Sequence, residues 1–187
     1  MPRLRPLTKT EAAPELLPIL EQVEATFGTI HAGTGIFAYC PPILQASNGL
    51  GRAITQSARL TPLLRNLAML RVAQMTECPF RMDSLAAMCQ QSGASAEQIR
   101  AVAFVRESEL FSAAEKAALA MAEAMTSTPV EVPDDVFAEA QRHFSHEQLV
   151  ELVATIAAEN YRVRFNRAFE VESIGMYRES HRLPFPP

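Results

Sequence analysis

Residues 60–80 read LTPLLRNLAMLRVAQMTECPF, and the fold turns on this stretch. Thr61-Pro62 opens a helix in a favoured way, because Thr can accept from the first free N–H groups and Pro is tolerated at the first helical position. From Leu63 to Met75 nearly every side is apolar, which predicts a helix buried all round rather than one lying on a surface. Glu77-Cys78-Pro79 interrupts it, a second helix runs from Pro79 to Gln91, and Gly93 supplies its C-cap.

Working outward, the pattern stays helical. Thr10 to Phe27 predicts a first helix, with Leu16, Leu17, Leu20, Val23 and Phe27 on one face, although Pro14 and Pro18 shorten it. Gly28 to Pro42 is expected to be a loop, followed by a helix to about Ser57. Ser95-Ala-Glu-Gln98, Ser112-Ala-Ala-Glu115 and Ser145-His-Glu-Gln148 are three capping boxes. They start a short helix, a helix to about Thr126 and a long last helix through about Val171, with another short helix from Asp134 after Pro129 and Pro133. Residues 173–187 read as an extended tail, strapped onto a neighbouring subunit. Alternating stretches rich in β-branched residues are absent, as are repeats. The reading is therefore all-α, a single-domain helical bundle over residues 1–187.

Composition narrows the function classes. A chain of 187 residues suits one domain at a prior of roughly 150 residues each. Hydrophobic residues at 48% and charged residues at 20% are ordinary for a globular protein and argue against long disorder. No stretch approaches the roughly 18 apolar residues of a membrane span, and the start Met1-Pro-Arg-Leu-Arg-Pro6 has no apolar signal core, so no membrane partner and a cytoplasmic location are expected. Of the 17 basic residues only Lys9 and Lys116 are lysines, and the arginines are scattered rather than gathered in a stripe. No nucleic-acid partner is therefore expected. His143 and His146 straddle a helix boundary without cysteine or carboxylate ligands at metal spacing, His31 and His181 stand alone as packing or exposed residues, and no metal is expected. The methionines fall among other apolar residues as core filler.

Residues 60–80, followed by Gly93-Ala-Ser-Ala-Glu-Gln-Ile99, resemble the central antiparallel helical hairpin of the carboxymuconolactone decarboxylase and alkylhydroperoxidase D-like family. Phe27-Gly-Thr, Ile36-Phe-Ala-Tyr and Pro42 resemble the family's entry segment. Glu115 to Leu119 resembles its next helix, and Phe144-Ser145, Gln148 to Leu152 and Asn160 to Arg164 its last. The likeness covers roughly residues 10 to 172. It implies the family's helical fold, a homo-oligomer (trimer or hexamer) and no cofactor.

In the peroxidase branch the resemblance implies a Cys-x-x-Cys-x-x-x-His signature with an upstream glutamate in a proton relay. Cys78 matches the first cysteine, whereas Arg81, Leu85 and Asn66 stand where the second cysteine, the histidine and the glutamate belong. Arg81 cannot resolve a sulfenic acid. Cys89 lies along the same expected helix, on the order of 16 Å away, beyond the about 7 Å that a disulfide allows between Cα atoms. Cys40 sits in the loop, and its pairing with Cys78 stays open. A helix N-terminus and Arg81 should both lower the pKa of Cys78.

A second reading makes Arg81 the anchor of a carboxylate, since the decarboxylase branch acts on a lactone carrying carboxylates. Asn160 and Arg164 continue the apolar line of Leu149, Leu152, Val153 and Ile156, so Arg81 and Arg164 would hold an acid while Asn66 or Asn160 orients it. The same residues serve equally well as braces between helices. Three functions follow: a non-redox enzyme, decarboxylase-like, on a small carboxylated or lactone substrate; a one-cysteine thiol peroxidase (peroxiredoxin activity) using Cys78 on a peroxide; or a catalytically silent oligomeric binding protein with a degenerate active site.

Overall fold

The computed structural model describes residues 1–178, and every regular element among them is helical. They are α1 (Leu17–Phe27), α2 (Ala32–Phe37), α3 (Pro41–Ser57), α4 (Pro62–Met75), α5 (Pro79–Gln91), α6 (Ala96–Ala101), α7 (Ala113–Thr126), α8 (Asp134–His143) and α9 (His146–Ala168). His181 and the rest of the expected tail lie outside the described residues.

The ends of these helices follow local chemistry. Thr61 accepts from the Leu64 N–H at 3.3 Å, with Pro62 at the first helical position of α4. The capping boxes at Ser112 and Ser145 are complete, each satisfying two otherwise orphaned donors. At Ser95 only half forms: its side chain accepts from Gln98 N, while the Gln98 amide donates instead to Leu110 O. Gly28 closes α1 in the left-handed region at φ 72°.

Two expectations need correction. The first helix does not begin at Thr10; Pro14–Leu16 form a single 3-10 turn and α1 starts at Leu17. Pro14 and Pro18 cannot donate N–H groups to a longer helix, so each takes a first-turn position. The segment 28–42 is not all loop, because Ala32–Phe37 forms α2 despite Gly33 and Gly35. His31 caps it, its ring accepting from Thr34 N.

Helix α4 is the central post, packed against α5, α7 and α9. Leu67, Ala68, Leu70, Val72 and Ala73 are fully buried within the main core. Three of the four buried polar residues of α4 are paired, whereas the side-chain amide of buried Gln74 has no hydrogen-bond partner. Arg65 meets Glu151 of α9 at 3.2 Å and Arg71 meets Glu123 of α7 at 2.7 Å, while Asn66 donates to Met88 O and Ser92 Oγ of the α5 end. A second cluster, Leu16, Ile19, Leu20, Ala38 and Leu44, ties α1 to α2 and α3. Residues 171–178 carry no regular structure and are pinned to α5 of the same chain: buried Asp83 accepts from the N–H groups of Ile174, Met176 and Tyr177.

Candidate functional site

A cavity of about 360 Å³ lies where α1, α2 and α3 meet α4, α5 and α9. Its walls are largely apolar, with Ile19, Val23, Phe27, Leu44, Ile54, Met69 and Phe80 among them. Arg52, Arg65, Arg81 and Arg162 also line it, and no carboxylate does among the described lining residues.

Ser47, Asn48, Arg52 and Thr55 of α3 build one polar side of the cavity, and helix α9 builds another. Thr155, Arg162 and Asn166 line it, and Glu159 stands behind Arg81 in the same helical seam. At spacings of four, three and four residues these side chains share one face of a helix. Arg81 Nε donates to Glu159 Oε1 at 2.6 Å and Nη2 to Oε2 at 2.9 Å, so the guanidinium is held fork to fork. Burial works against the Arg81 charge, but Glu159 outweighs it and the pKa moves up. Arg162 reaches the same carboxylate only at 3.7 Å. Burial lowers its pKa; Glu159 opposes that and the Arg81 charge adds to it.

His31 forms part of the wall rather than an isolated surface residue. Its ring lies 4.2 Å, centroid to centroid, from Phe80 and packs edge-on to Phe27 at 5.3 Å. Nδ1 accepts from Thr34 N, which places the proton of the neutral ring on Nε2, 2.9 Å from Thr34 Oγ1. Burial, aided by Arg81, lowers its pKa to about 3. His31 is therefore a neutral, committed ring at pH 7, ill suited to take a proton.

Cys78 is the N-cap residue of α5 and fully buried, and it is not among the cavity-lining residues. The expected fall in its pKa is reversed. Burial is the largest influence and raises it; the Arg81 N–H and the Arg81 charge pull down without prevailing, and Glu159 pushes up. The physical reason is first the loss of water around the thiolate on burial, and second that Glu159 opposes the Arg81 charge. Cys40 is exposed, Cys89 is buried, and all three cysteines are free thiols.

The other residues singled out from sequence are placed apart. Asn66 braces the end of α5. Asn160 donates to Thr126 Oγ1 at 3.1 Å and to Ile156 O, and Arg164 bonds back to Asn160. Arg164 lies in an open groove with Thr76, Thr126 and Arg167, separate from the cavity. The apolar line through Ile156 does not lead to Glu159, Arg162 or Asn166. The signal that finds them is the polar line Glu151, Thr155, Glu159, Arg162 and Asn166 on one side of a helix. Among the described residues no three His, Cys, Asp or Glu side chains could hold a metal ion, and no helix is long and apolar enough to cross a membrane.

This helical bundle with its cavity beside α5 defines a class of protein, and comparison with known chains specifies it. The carboxymuconolactone decarboxylase family model matches residues 41–124. The uncharacterized protein YdfG of Bacillus subtilis (strain 168) is 31% identical over 103 residues, covering 54% of this chain and 70% of that protein. The uncharacterized protein YnjA of Escherichia coli (strain K12) is 37% identical over 119 residues, 64% of this chain, which thus matches 65% of that protein's length. The chain belongs to the carboxymuconolactone decarboxylase family, of the alkylhydroperoxidase D-like type.

Solved structures agree on the fold. The debrominase Bmp8, as a cysteine-to-alanine variant in complex with 2,3,4-tribromopyrrole, superposes with a TM-score of 0.86 over 96% of both chains at 22% identity. An alkylhydroperoxidase D core protein from Ralstonia eutropha JMP134, a peroxidase-related protein of uncharacterized activity, gives 0.84 over 98% of this chain and 97% of that one at 15% identity. At these identities the likeness concerns the fold alone.

Proposed function

We propose that this protein is a non-redox enzyme acting on a small, largely apolar substrate that carries a carboxylate, bound in the cavity beside α5. The observation that carries the reading is the charge imbalance at the cavity wall: Arg81 and Arg162 share the single carboxylate of Glu159. A positive excess that is partly withdrawn from water is costly unless a counter-charge arrives. An anionic substrate supplies it, and the apolar walls accept the rest of the molecule.

The sign of the site supports lyase chemistry as well. Cationic groups around a carboxylate or lactone stabilise the negative charge that develops as such a substrate reacts. Thermal-shift and calorimetric titration with matched acids and amides tests the reading. Benzoate and cyclohexanecarboxylate should stabilise the protein saturably, and benzamide should do so far less. Equal responses to acid and amide would defeat it.

Thiol chemistry at Cys78 is the second reading, favoured by its position at the N-terminus of α5 and by the fold shared with a debrominase studied as a cysteine variant. In that reading the Cys78 thiolate attacks a peroxide, leaving a sulfenic acid and an alcohol or water; one external thiol then forms a mixed disulfide with release of water, and a second frees the Cys78 thiol as the external disulfide leaves. Loss of thiol-dependent peroxide turnover in Cys78→Ser would support it, and unchanged turnover would remove it.

A further inference from the structure

The cavity presents more than one arginine, and they are not equivalent. Arg81 has both arms of its fork on Glu159 and is braced again by Ser84. Arg65 is committed to Glu151 and Leu60 O. Arg162 differs: it makes one long contact with Glu159 and reaches across the cavity from α9 to α3.

The far side of that reach is shaped to admit it. A Cβ on Gly51 would stand 2.7 Å from Arg162 Nη2, and nothing but that guanidinium lies within 4 Å of it. The missing side chain is thus a notch in α3 that the guanidinium fills. One turn earlier on the same helix face is Asn48, which also lines the cavity, and its buried Nδ2 has no hydrogen-bond partner. A buried amide N–H₂ without an acceptor is costly and calls for one. Both helices therefore bring donors to the cavity: Arg162 of α9, with only the long contact to Glu159, and Asn48 of α3, whose Nδ2 has no acceptor.

We infer that Arg162 and Asn48 form the subsite that receives the substrate carboxylate, with Gly51 as the notch that sets the guanidinium in place, while Arg81 is a closed strut. This rests on the carboxylate reading of the cavity. It narrows the substrate to a small aromatic or alicyclic monocarboxylate, because the incompletely matched Arg162 guanidinium and the Asn48 amide together satisfy one carboxylate, whereas Arg52 of α3, which also lines the cavity, is exposed to solvent. The remainder of the molecule then lies toward Phe80, Phe27 and His31.

The test is calorimetric titration of benzoate and cyclohexanecarboxylate, with benzamide as the neutral control, into the wild type, Arg162→Gln, Arg162→Lys and Gly51→Ala. Arg162→Gln should weaken acid binding by about tenfold or more, the scale of a charge-assisted hydrogen bond, and leave benzamide unchanged. Arg162→Lys should recover part of the loss. Gly51→Ala should weaken the acids while leaving the melting temperature unchanged or higher, since Ala suits a helix better than Gly and the displaced group is the mobile end of a side chain. A merely structural Arg162 would not produce that split, and Gly51→Ala keeps the test intact if Arg162→Gln fails to fold. Acid binding unchanged in both Arg162→Gln and Gly51→Ala overturns the assignment and leaves the carboxylate reading standing. No saturable acid binding by the wild type overturns both.

Discussion

Arg81 on α5 and Glu159 on α9, 78 positions apart, are locked by two hydrogen bonds of 2.6 and 2.9 Å with the carboxylate fully buried. The pair fastens α5, which Cys78 precedes as N-cap, to the longest helix among the described residues. Arg81→Met alone strands a buried carboxylate and should cost about 3–5 kcal/mol, nearer the lower figure because Arg162 stands close enough to compensate in part. Adding Glu159→Leu should recover much of that loss, because breaking one partner is worse than replacing both. Urea unfolding of the two single variants and the double variant measures this, and additive losses would show that the two residues do not act as a pair.

His31 predicts a loss of stability in acid. Its folded pKa of about 3 lies below the ordinary 6.5, so the fold favours the neutral ring. The contribution is present above about 6.5 and is lost as pH falls toward 3, at about 1.4 kcal/mol for each tenfold difference in proton affinity between the folded and unfolded chain. Glu11, held down to about 2 by Arg5 and Thr8, adds its own loss only lower, below its ordinary 4.5. Comparing urea midpoints at pH 7 and 4.5 should therefore show a larger drop in the wild type than in His31→Gln, which has no ring to charge. Parallel drops would mean that His31 does not titrate against the fold.

How far the fold is legible in sequence depends on whether its cause is local. Thr61-Pro62, the boxes at Ser112 and Ser145, and Gly28 act through neighbouring N–H and C=O groups, so their helices can be read directly. Helix α2 cannot, because two glycines argue against a helix and His31, an unusual cap, supplies the support. The site is legible only in part. Register finds Cys78 and Arg81, but the partner that settles the charge of Arg81 comes from α9, and nothing near Arg81 in the chain announces it. The lowered pKa expected for Cys78 fails for the same reason: helix-end position and a nearby cation are visible in sequence, whereas full burial and a competing carboxylate are not.

The three thiols should separate in reactivity. Cys40 is exposed, whereas Cys78 and Cys89 are fully buried, with burial raising both pKa values and carrying Cys89 to about 12. A thiol-specific alkylating reagent applied to the native protein across pH 5 to 9 should label Cys40 first, with Cys78 and Cys89 labelled fully only after denaturation. Rapid native labelling of Cys78 with an apparent pKa well below the free value of about 8.5 would favour the thiol-enzyme reading instead. The same raised values govern alkaline stability. A thiol whose pKa is raised on folding contributes fully below about 8.5 and loses that contribution as pH rises toward its folded value. Cys89→Ala should therefore flatten the decline between about pH 8.5 and 11, even though it costs packing at every pH.

Asp83 holds residues 174–177 against α5 by accepting three backbone N–H bonds, from Ile174 at 3.1 Å, Met176 at 3.0 Å and Tyr177 at 2.7 Å. A fully buried carboxylate is tolerable here because these donors replace water around it. Asp83→Ala removes every acceptor at once and orphans three donors, and each orphan that stays buried costs about 1–3 kcal/mol. The segment should avoid most of that penalty by detaching, since solvent can satisfy its N–H groups. Hydrogen exchange is then the decisive measurement: protection at Ile174, Met176 and Tyr177 should collapse in Asp83→Ala, while α4 stays protected to within the global loss. Asp83→Asn, which keeps one acceptor oxygen and loses the charge, should fall between. If protection at these three amides persists in Asp83→Ala, the packing of Tyr177 in the main core, rather than the carboxylate, is what holds the strap.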